Sequence, residues 1–271
     1  MPEAEGADPL EGLVEQVLAS RKYRRLLPEF VAGVGSRELS RARRPADAVR
    51  ATRSRLHQSV GAFRKGASYT EMAGELSRAA GMGQLREVAS RAMRFHASTE
   101  ERFPILEAFY ARVFDGRPVR RVLDLACGLH PLGIPWMPVA RDLEYLACDV
   151  DLEILELVNG FLGAAGVSGR AFAWDLLRGA PEETADVAFL LKSLPCLERL
   201  AAGAGLRVLR EVRAPLVFVS FPSAGLSGRR RGMGAHHGAA FRERVAGEPW
   251  RVEAFELPGE LVFRVEKSGA G

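Results

Sequence analysis

Two aspartates close apolar runs in the middle of this chain, and their placement points to nucleoside chemistry. Asp149 ends LEYLACD and Asp175 follows RAFAW. Ahead of the first lies VRRVLDLACG, another short apolar run, which ends in a turn of small residues: Ala126, Cys127 and Gly128. Such a turn lets backbone approach a nucleoside, and a carboxylate about 20 residues further on accepts hydrogen bonds from both ribose hydroxyls. An acidic group after the next run, Asp175 beside Leu176, can meet an adenine amino group. The chain lacks a G-x-G-x-x-G loop here, which argues against a dinucleotide, whose pyrophosphate needs that loop. S-adenosylmethionine carries no phosphate and suits the looser turn better.

Cysteine chemistry is the other possibility to weigh. Cys196 sits in SLPCLE, and a Pro-Cys at such a place supplies the thiolate nucleophile of cytosine-C5 methyltransferases. Leu194 and Leu197 flank it and no acid precedes it, so a small buried hydrophobe is the preferred reading. Cys127 reads as a small residue that permits close packing. No CxxC spacing suggests zinc.

These residues need strands and helices to position them. Val122–Leu125, Leu143–Asp149, Arg170–Trp174, Val187–Leu191 and Leu216–Phe221 read as five strands, mostly apolar throughout, as in a parallel sheet buried on both faces. Asp151 is placed to cap a helix over LEILELVNGFL. A second helix is expected over Leu197–Val212 and a third near His237–Ala246. Trp250–Leu257 and Glu260–Glu266, joined at Pro258-Gly259, read as a hairpin. Repeated βα units ending in an antiparallel hairpin predict an α/β fold of the class I methyltransferase type, Rossmann-like with a seven-stranded sheet.

The chain has 271 residues, 47% hydrophobic and 27% charged, with three cysteines. Those values suit a globular protein in a reducing compartment, and a cytoplasmic location is expected. No apolar stretch approaches the ~18 residues of a membrane span. The acidic N-terminus, MPEAEGADPLEG, lacks the apolar core of a secretory signal.

Charge is distributed unevenly. Between Ser20 and Lys65 there are 13 Arg and Lys against Glu29, Glu38 and Asp47, a local excess of +10, while the rest of the chain carries −6. Apolar residues recur at helical spacing: Leu13, Val17 and Leu18; Ala48, Val49, Thr52, Leu56 and Val60; Leu85, Val88, Ala92 and Met93. A basic helical module over residues 1–97, suited to a polyanion, precedes a methyltransferase domain over 98–271. Arg41, Arg43 and Arg44 are the candidate RNA contacts within it.

Longer motifs carry a resemblance. LDLACGLHPLGIPWM, LLKSLPCLE, the run from Phe221-Pro222 through Arg229–Met233, HASTEERFP, RKYRRLLP and VGAF together resemble the aminoglycoside-resistance methyltransferases of 16S ribosomal RNA, the guanine-N7 class. The similarity spans nearly the whole chain. It implies an S-adenosylmethionine-dependent enzyme whose helical domain docks on the assembled 30S subunit, and which methylates N7 of one decoding-centre guanine and so blocks aminoglycoside binding. A monomer without membrane association is expected.

By the same resemblance, the cofactor contacts fall on Phe63, His96, Ala97, Ser98, Arg102, Ala126, Asp149, Asp175, Leu176 and Leu191. Arg102 would receive the methionine carboxylate, which a guanidinium matches bidentately. Guanine N7 bears an in-plane lone pair and no proton, so no catalytic base is assigned. Trp136 is a candidate to stack on a flipped guanine, and Arg229, Arg230 and Arg231 follow the fifth strand as candidate phosphate contacts. The chain departs from the family at Glu100, where Arg is usual, at Leu200, Gly259 and Phe263, and over Gly234–His237. A diverged RNA-binding protein, an enzyme with another target nucleotide and a small-molecule methyltransferase are the alternatives.

Overall fold

The computed structural model describes residues 8–65, 69–79, 81–139, 142–223 and 233–267. The first third is helical: α1 (Pro9–Leu18), α2 (Pro28–Leu39), α3 (Pro45–Leu56), α4 (Tyr69–Ser77), α5 (Met82–Met93), α6 (Ala97–Arg102) and α7 (Leu106–Phe114). Proline opens α1, α2 and α3, where its missing N–H costs nothing. The Asp8 carboxylate caps α1 by accepting from Leu10 N at 2.9 Å. A five-residue π turn, His57–Gly61, continues α3.

The alternating part follows: β1 (Arg121–Leu125), β2 (Glu144–Asp149), α8 (Leu152–Ala165), β3 (Ser168–Ala173), β4 (Val187–Leu191), α9 (Leu194–Leu200), α10 (Ala204–Glu211), β5 (Leu216–Pro222), α11 (Met233–Val245), β6 (Trp250–Leu257) and β7 (Glu260–Lys267). They build one seven-stranded sheet in the order β3-β2-β1-β4-β5-β7-β6. Strands β1 to β5 are parallel, with Leu125 opposite Cys148 and Leu191 opposite Ser220, and β7 enters antiparallel against β5. This is the sheet that the apolar runs and the terminal hairpin predict. Every residue of β4 is buried, whereas the edge strand β6 is half-exposed along its length. Burying one side chain such as Phe189, fully enclosed, contributes about 1.5–3 kcal/mol.

The helical third has no separate core. Residues of α4, α5 and α7 join α8 and one face of the sheet in one apolar cluster, while α1, α2 and α3 join α9, α10 and the other face in a second. Backbone bonds pin the α1–α2 connector to the end of β2: Leu27 N donates to Val150 O and Leu152 N to Arg25 O, both at 2.8 Å.

Local expectations fail in two places. The single helix over Leu197–Val212 is two, broken where Gly203 takes φ +79° to start α10. Strand β3 starts at Ser168 and ends at Ala173, before Trp174, whose N–H donates to Asp149 O at 3.1 Å. Helix α2 has no apolar stripe as regular as those of its neighbours and contains Gly33 and Gly35, poor helix formers. A Cβ at Gly35 would collide with the buried Leu13 of α1. The glycine there serves close helix packing.

Candidate cofactor and RNA site

The site assembles at the carboxyl ends of the parallel strands, where open α/β sheets bind ligands. Chain leaving β1 turns sharply, with Ala126 at φ +50° and Gly128 at φ +51°. Gly128 N–H donates to Asp149 Oδ2 at 2.9 Å. Val150 N–H and Asp151 N–H donate to Asp149 Oδ1 at 2.7 and 3.0 Å. Burial pushes the Asp149 carboxyl above its usual range, and these three backbone donors oppose that shift. Lys192, just past β4, takes φ +58°. Left-handed backbone at a non-glycine residue costs about 1–3 kcal/mol and concentrates at ligand sites. Ala126 and Lys192 both line the same cavity.

That cavity is a cleft at the strand ends, open to solvent on one side. Asp149, Asp175 and Leu176 line it, as do Phe63, His96, Ser98 and Leu191. Asp175 caps its own turn by accepting from Leu177 N at 2.8 Å, and burial raises its carboxyl. The Phe63 ring stacks on His96 with centroids 5.7 Å apart and planes 13° off parallel. A Cβ on Gly128 would lie 2.9 Å from His96 Cε1, so the imidazole requires glycine there. Burial, then the cations Arg64, Arg102 and Lys192, push His96 down to about 3. It is neutral and bonds Ser98 Oγ at 2.9 Å through Nδ1.

S-adenosylmethionine fits this donor and acceptor set. Two polar atoms of the wall, Asp151 Oδ2 and Ser193 Oγ, are buried without a hydrogen-bond partner. Hydroxyl and ammonium groups of a ligand would satisfy them. Asp151 otherwise caps α8, accepting from Glu153 N at 3.1 Å. Burial raises its carboxyl to about 6 against the opposing pull of Arg64, whose Nε lies 3.5 Å away.

A buried charge cluster closes one side. Arg102, 1% exposed, forks onto Glu260, with Nε 3.0 Å from Oε2 and Nη2 2.5 Å from Oε1. Lys192 Nζ lies 2.8 Å from Glu101 Oε2, 3.3 Å from Ser98 O and 3.5 Å from Glu260 Oε2. Burial alone would raise Glu260, but Arg102 and Lys192 outweigh it and hold the carboxyl below its usual value. Arg102 therefore spends its Nε–Nη2 edge inside the protein and stands outside the cavity wall, which Lys192 joins. Ala97 is also behind the wall, its N–H donating to Phe63 O at 2.9 Å.

The expected RNA contacts are scattered. Arg41, Arg43 and Arg44 are exposed at the α2–α3 connection. Arg41 lies 3.8 Å from Glu38 and Arg44 3.0 Å from Asp47, pairs whose guanidinium is exposed and whose carboxylate is part-buried, which a phosphate can replace. Trp136 is half-buried away from the cavity wall, edge-on to Phe103 at 5.7 Å, with the Arg86 guanidinium 4.7 Å over its ring. A base stacking on that face would have to displace Arg86. Arg229, Arg230 and Arg231 lie outside the described residues. Cys196 does line the cavity, but burial raises its thiol, which disfavours a nucleophilic thiolate.

Local structure accommodates the departures from the family pattern. Glu100 is ion-paired with Lys65, both half-exposed. Leu200 lines the cavity, Gly259 takes φ +83° in the β6–β7 turn, and Phe263 packs 4.7 Å from Phe241. Phe30, Ser59 and Val60 were not anticipated as cavity residues. For Val60 the quoted VGAF run was a signal, but Phe30 offered none. Lys192 and Ser193, also in the wall, lie inside the LLKSLPCLE run. Among the described residues, no cluster of His, Cys, Asp and Glu could hold a metal, and no helix is long and apolar enough to cross a membrane.

Known proteins share this fold. The family model described as ribosomal RNA methyltransferase (FmrO) matches residues 19–264. A 16S rRNA (guanine(1405)-N(7))-methyltransferase of Micromonospora rosea is 34% identical over 98% of this chain and 100% of its own. One of Frankia casuarinae is 39% identical, covering 93% of this chain and 92% of its own. The crystal structure of the 16S rRNA methyltransferase RmtF in complex with S-adenosyl-L-homocysteine superposes with a TM-score of 0.83 at 36% identity, over 97% of this chain and 100% of that one. The 16S rRNA methylase RmtB gives 0.80 at 30% identity, over 96% and 98%. With the sheet order, the strand-end carboxylates and the sequence match extending through helices and sheet alike, this chain belongs to the ribosomal RNA methyltransferase (FmrO) family.

Proposed function

We infer that this chain is an S-adenosylmethionine-dependent 16S rRNA (guanine-N7) methyltransferase that confers aminoglycoside resistance. The observation that carries the site assignment is the gathering of Asp149, Asp175 and the Ala126–Gly128 turn around one cavity at the strand ends. Asp149 would hold the ribose and Asp175-Leu176 the adenine. Lys192 and Ser98 line the wall toward the methionine end, with Arg102 behind them. When bound, the cofactor supplies a methyl group on a sulfonium. The chain's own task is to orient and exclude water, because N7 needs no deprotonation. Neutral His96 and the protonated Cys196 thiol fit that absence of proton transfer. A-form RNA hides N7 in a narrow groove, so the guanine must leave its helix to be reached.

The product is therefore expected to be N7-methylguanine, formed on 30S subunits and poorly on naked RNA. Borohydride-induced strand scission at the modified base reads it. Cys196→Ser should retain most of the rate, because the attacking electron pair is the guanine's own. A cytosine-C5 mechanism would lose turnover almost entirely. Absence of scission, or a folded, cofactor-binding Cys196→Ser enzyme without activity, refutes the N7 mechanism.

The basic segment within residues 1–97 is the docking surface in this reading, and 98–271 carries the chemistry; the enzyme acts as a monomer on the assembled subunit in the cytoplasm. Changing Arg41, Arg43 and Arg44 together to Glu should weaken 30S binding and flatten its salt dependence by up to about 0.7–0.9 in log–log slope per lost phosphate contact. Cofactor affinity should be preserved. An unchanged slope in a salt titration would show that the cluster does not touch phosphate.

A further inference from the structure

The π turn His57–Gly61 has two faces. Outward, His57 and Gln58 are exposed, as are Arg50 and Arg53 on the preceding helix α3 and Lys22 beside it. Lys22 Nζ reaches His57 Nδ1 at 2.7 Å. Inward, Ser59 and Val60 line the cofactor cavity, and Phe63 and Arg64 follow in the same wall. A basic surface and a cavity wall thus meet on one five-residue turn.

The turn is also tied to a second wall. Helix α9 lines the cavity through Cys196, Leu197 and Leu200. Arginines lash its carboxyl end to the helical third. Arg37 Nη1 donates to Leu200 O at 2.8 Å, and Arg55 Nη1 reaches Arg199 O at 3.5 Å. Arg199 Nη1 returns to Gln58 O in the π turn at 3.1 Å. These bonds satisfy the open carbonyls of a helix end. The last of them ties α9 directly to the π turn, and the other two tie it to α2 and to the end of α3 from which the turn continues.

A π turn is a one-residue excess held within a helix, a geometry that is rare and concentrated at functional sites. Its hydrogen bond, Ala62 N to His57 O at 2.8 Å, replaces the shorter α spacing. Relaxing toward that spacing would change the register of Ser59 and Val60 relative to the cavity. Two discrete arrangements of one element, biased from both sides, are the physical basis of coupling between sites.

We propose that the π turn His57–Gly61 couples the two substrates: its outer face meets the phosphate backbone of the ribosomal RNA, its inner face walls the cofactor, and each ligand strengthens binding of the other. The proposal rests on the methyltransferase reading above and deepens it. Backbone phosphates are the occupant that Lys22, Arg50 and Arg53 select by charge. Docking there fixes the turn. With α9 lashed to it, the wall contributed by Ser59, Val60 and Leu200 is ordered before the cofactor arrives.

The test is a thermodynamic cycle with S-adenosylhomocysteine, which cannot turn over. Its affinity is measured by calorimetry for the free enzyme and for the enzyme on purified 30S subunits, and 30S affinity is measured with and without it. Coupling of this kind spans about 5–150-fold, and linkage requires the same factor in both directions. A factor of at least ~5 is expected. The double variant Arg55→Gln, Arg199→Gln cuts the bonds that tie the π turn and the adjoining end of α3 to α9 without replacing a cavity-lining residue, and should bring the factor close to one while the free enzyme still binds S-adenosylhomocysteine. The single Arg199→Gln, at an exposed guanidinium, gives the same reading should the double variant not fold. Equal affinities in wild type, or a full factor in the variants, overturn the proposal. An enzyme that methylates 30S subunits with a factor of one refutes the coupling alone; one that neither binds nor methylates them refutes the underlying function as well.

Discussion

Replacing Glu260 with alanine is expected to destabilise the fold by about 3–5 kcal/mol, the cost of leaving a buried charge without its partner. Glu260 and Arg102 are each 1% exposed, and Lys192 Nζ stands 3.5 Å away. Removing the carboxylate leaves the Arg102 guanidinium without its ion pair and Lys192 with Glu101 and the Ser98 carbonyl. The pair also joins α6 to the first residue of β7, 158 positions apart. Losing it frees the end of the hairpin as well as a charge. Urea unfolding monitored by tryptophan fluorescence measures the loss as a lower midpoint. Glu260→Gln keeps an acceptor for Arg102 and should lose less. Joint replacement of Arg102 and Glu260 by apolar residues of similar volume should recover much of the stability, because no charge is then left unpaired. A midpoint unmoved by Glu260→Ala would mean that the cluster contributes nothing to folding.

The second large effect is expected at Asp149. Asp149→Ala should weaken S-adenosylhomocysteine binding by about ten- to a hundredfold, the equivalent of a charged hydrogen bond worth roughly 1.5–3 kcal/mol. Three backbone N–H groups, of Gly128, Val150 and Asp151, would lose their acceptor in the same variant. Some of the loss would therefore come from a loosened turn and appear as lower stability. Asp149→Asn separates the two contributions. Its amide oxygen can still accept from Val150 and Asp151, but its amide nitrogen then faces the Gly128 donor. Calorimetric titration of both variants, with unfolding midpoints beside them, distinguishes ribose recognition from turn support. Wild-type affinity in a folded Asp149→Ala protein would remove the ribose assignment.

Much of this was legible before any coordinates. Strands β1, β2, β4 and β5 are short, mostly apolar runs because both faces of a parallel sheet are covered, and that composition needs no tertiary information to recognise. Asp149 and Asp175 could be found because strand ends are where such sheets bind ligands, so position along the chain carries the meaning. Asp151 as the cap of α8 follows from a local rule about helix starts. The basic segment showed itself by counting.

Contacts between distant segments were another matter. Nothing in HASTEER announces that Arg102 turns to Glu260 instead of the cavity, or that Glu100 finds Lys65, because each partner lies in an element whose approach is set by packing. Composition suggested a helical module separate from the sheet, yet its helices share their apolar clusters with both sheet faces and supply Phe30, Ser59, Val60, Phe63 and Arg64 to the cavity. Hydrophobic periodicity tells which face of a helix is buried but not what buries it. Local chemistry along the chain thus decided the strands, the caps, the strand-end carboxylates and the charge asymmetry, since each depends on neighbours within a few residues. The enclosure of the cavity, the partners of Arg102 and Lys192, and the join between π turn and α9 were decided only in three dimensions, where burial removes water and forces every charge and carbonyl to find a partner from elsewhere in the chain.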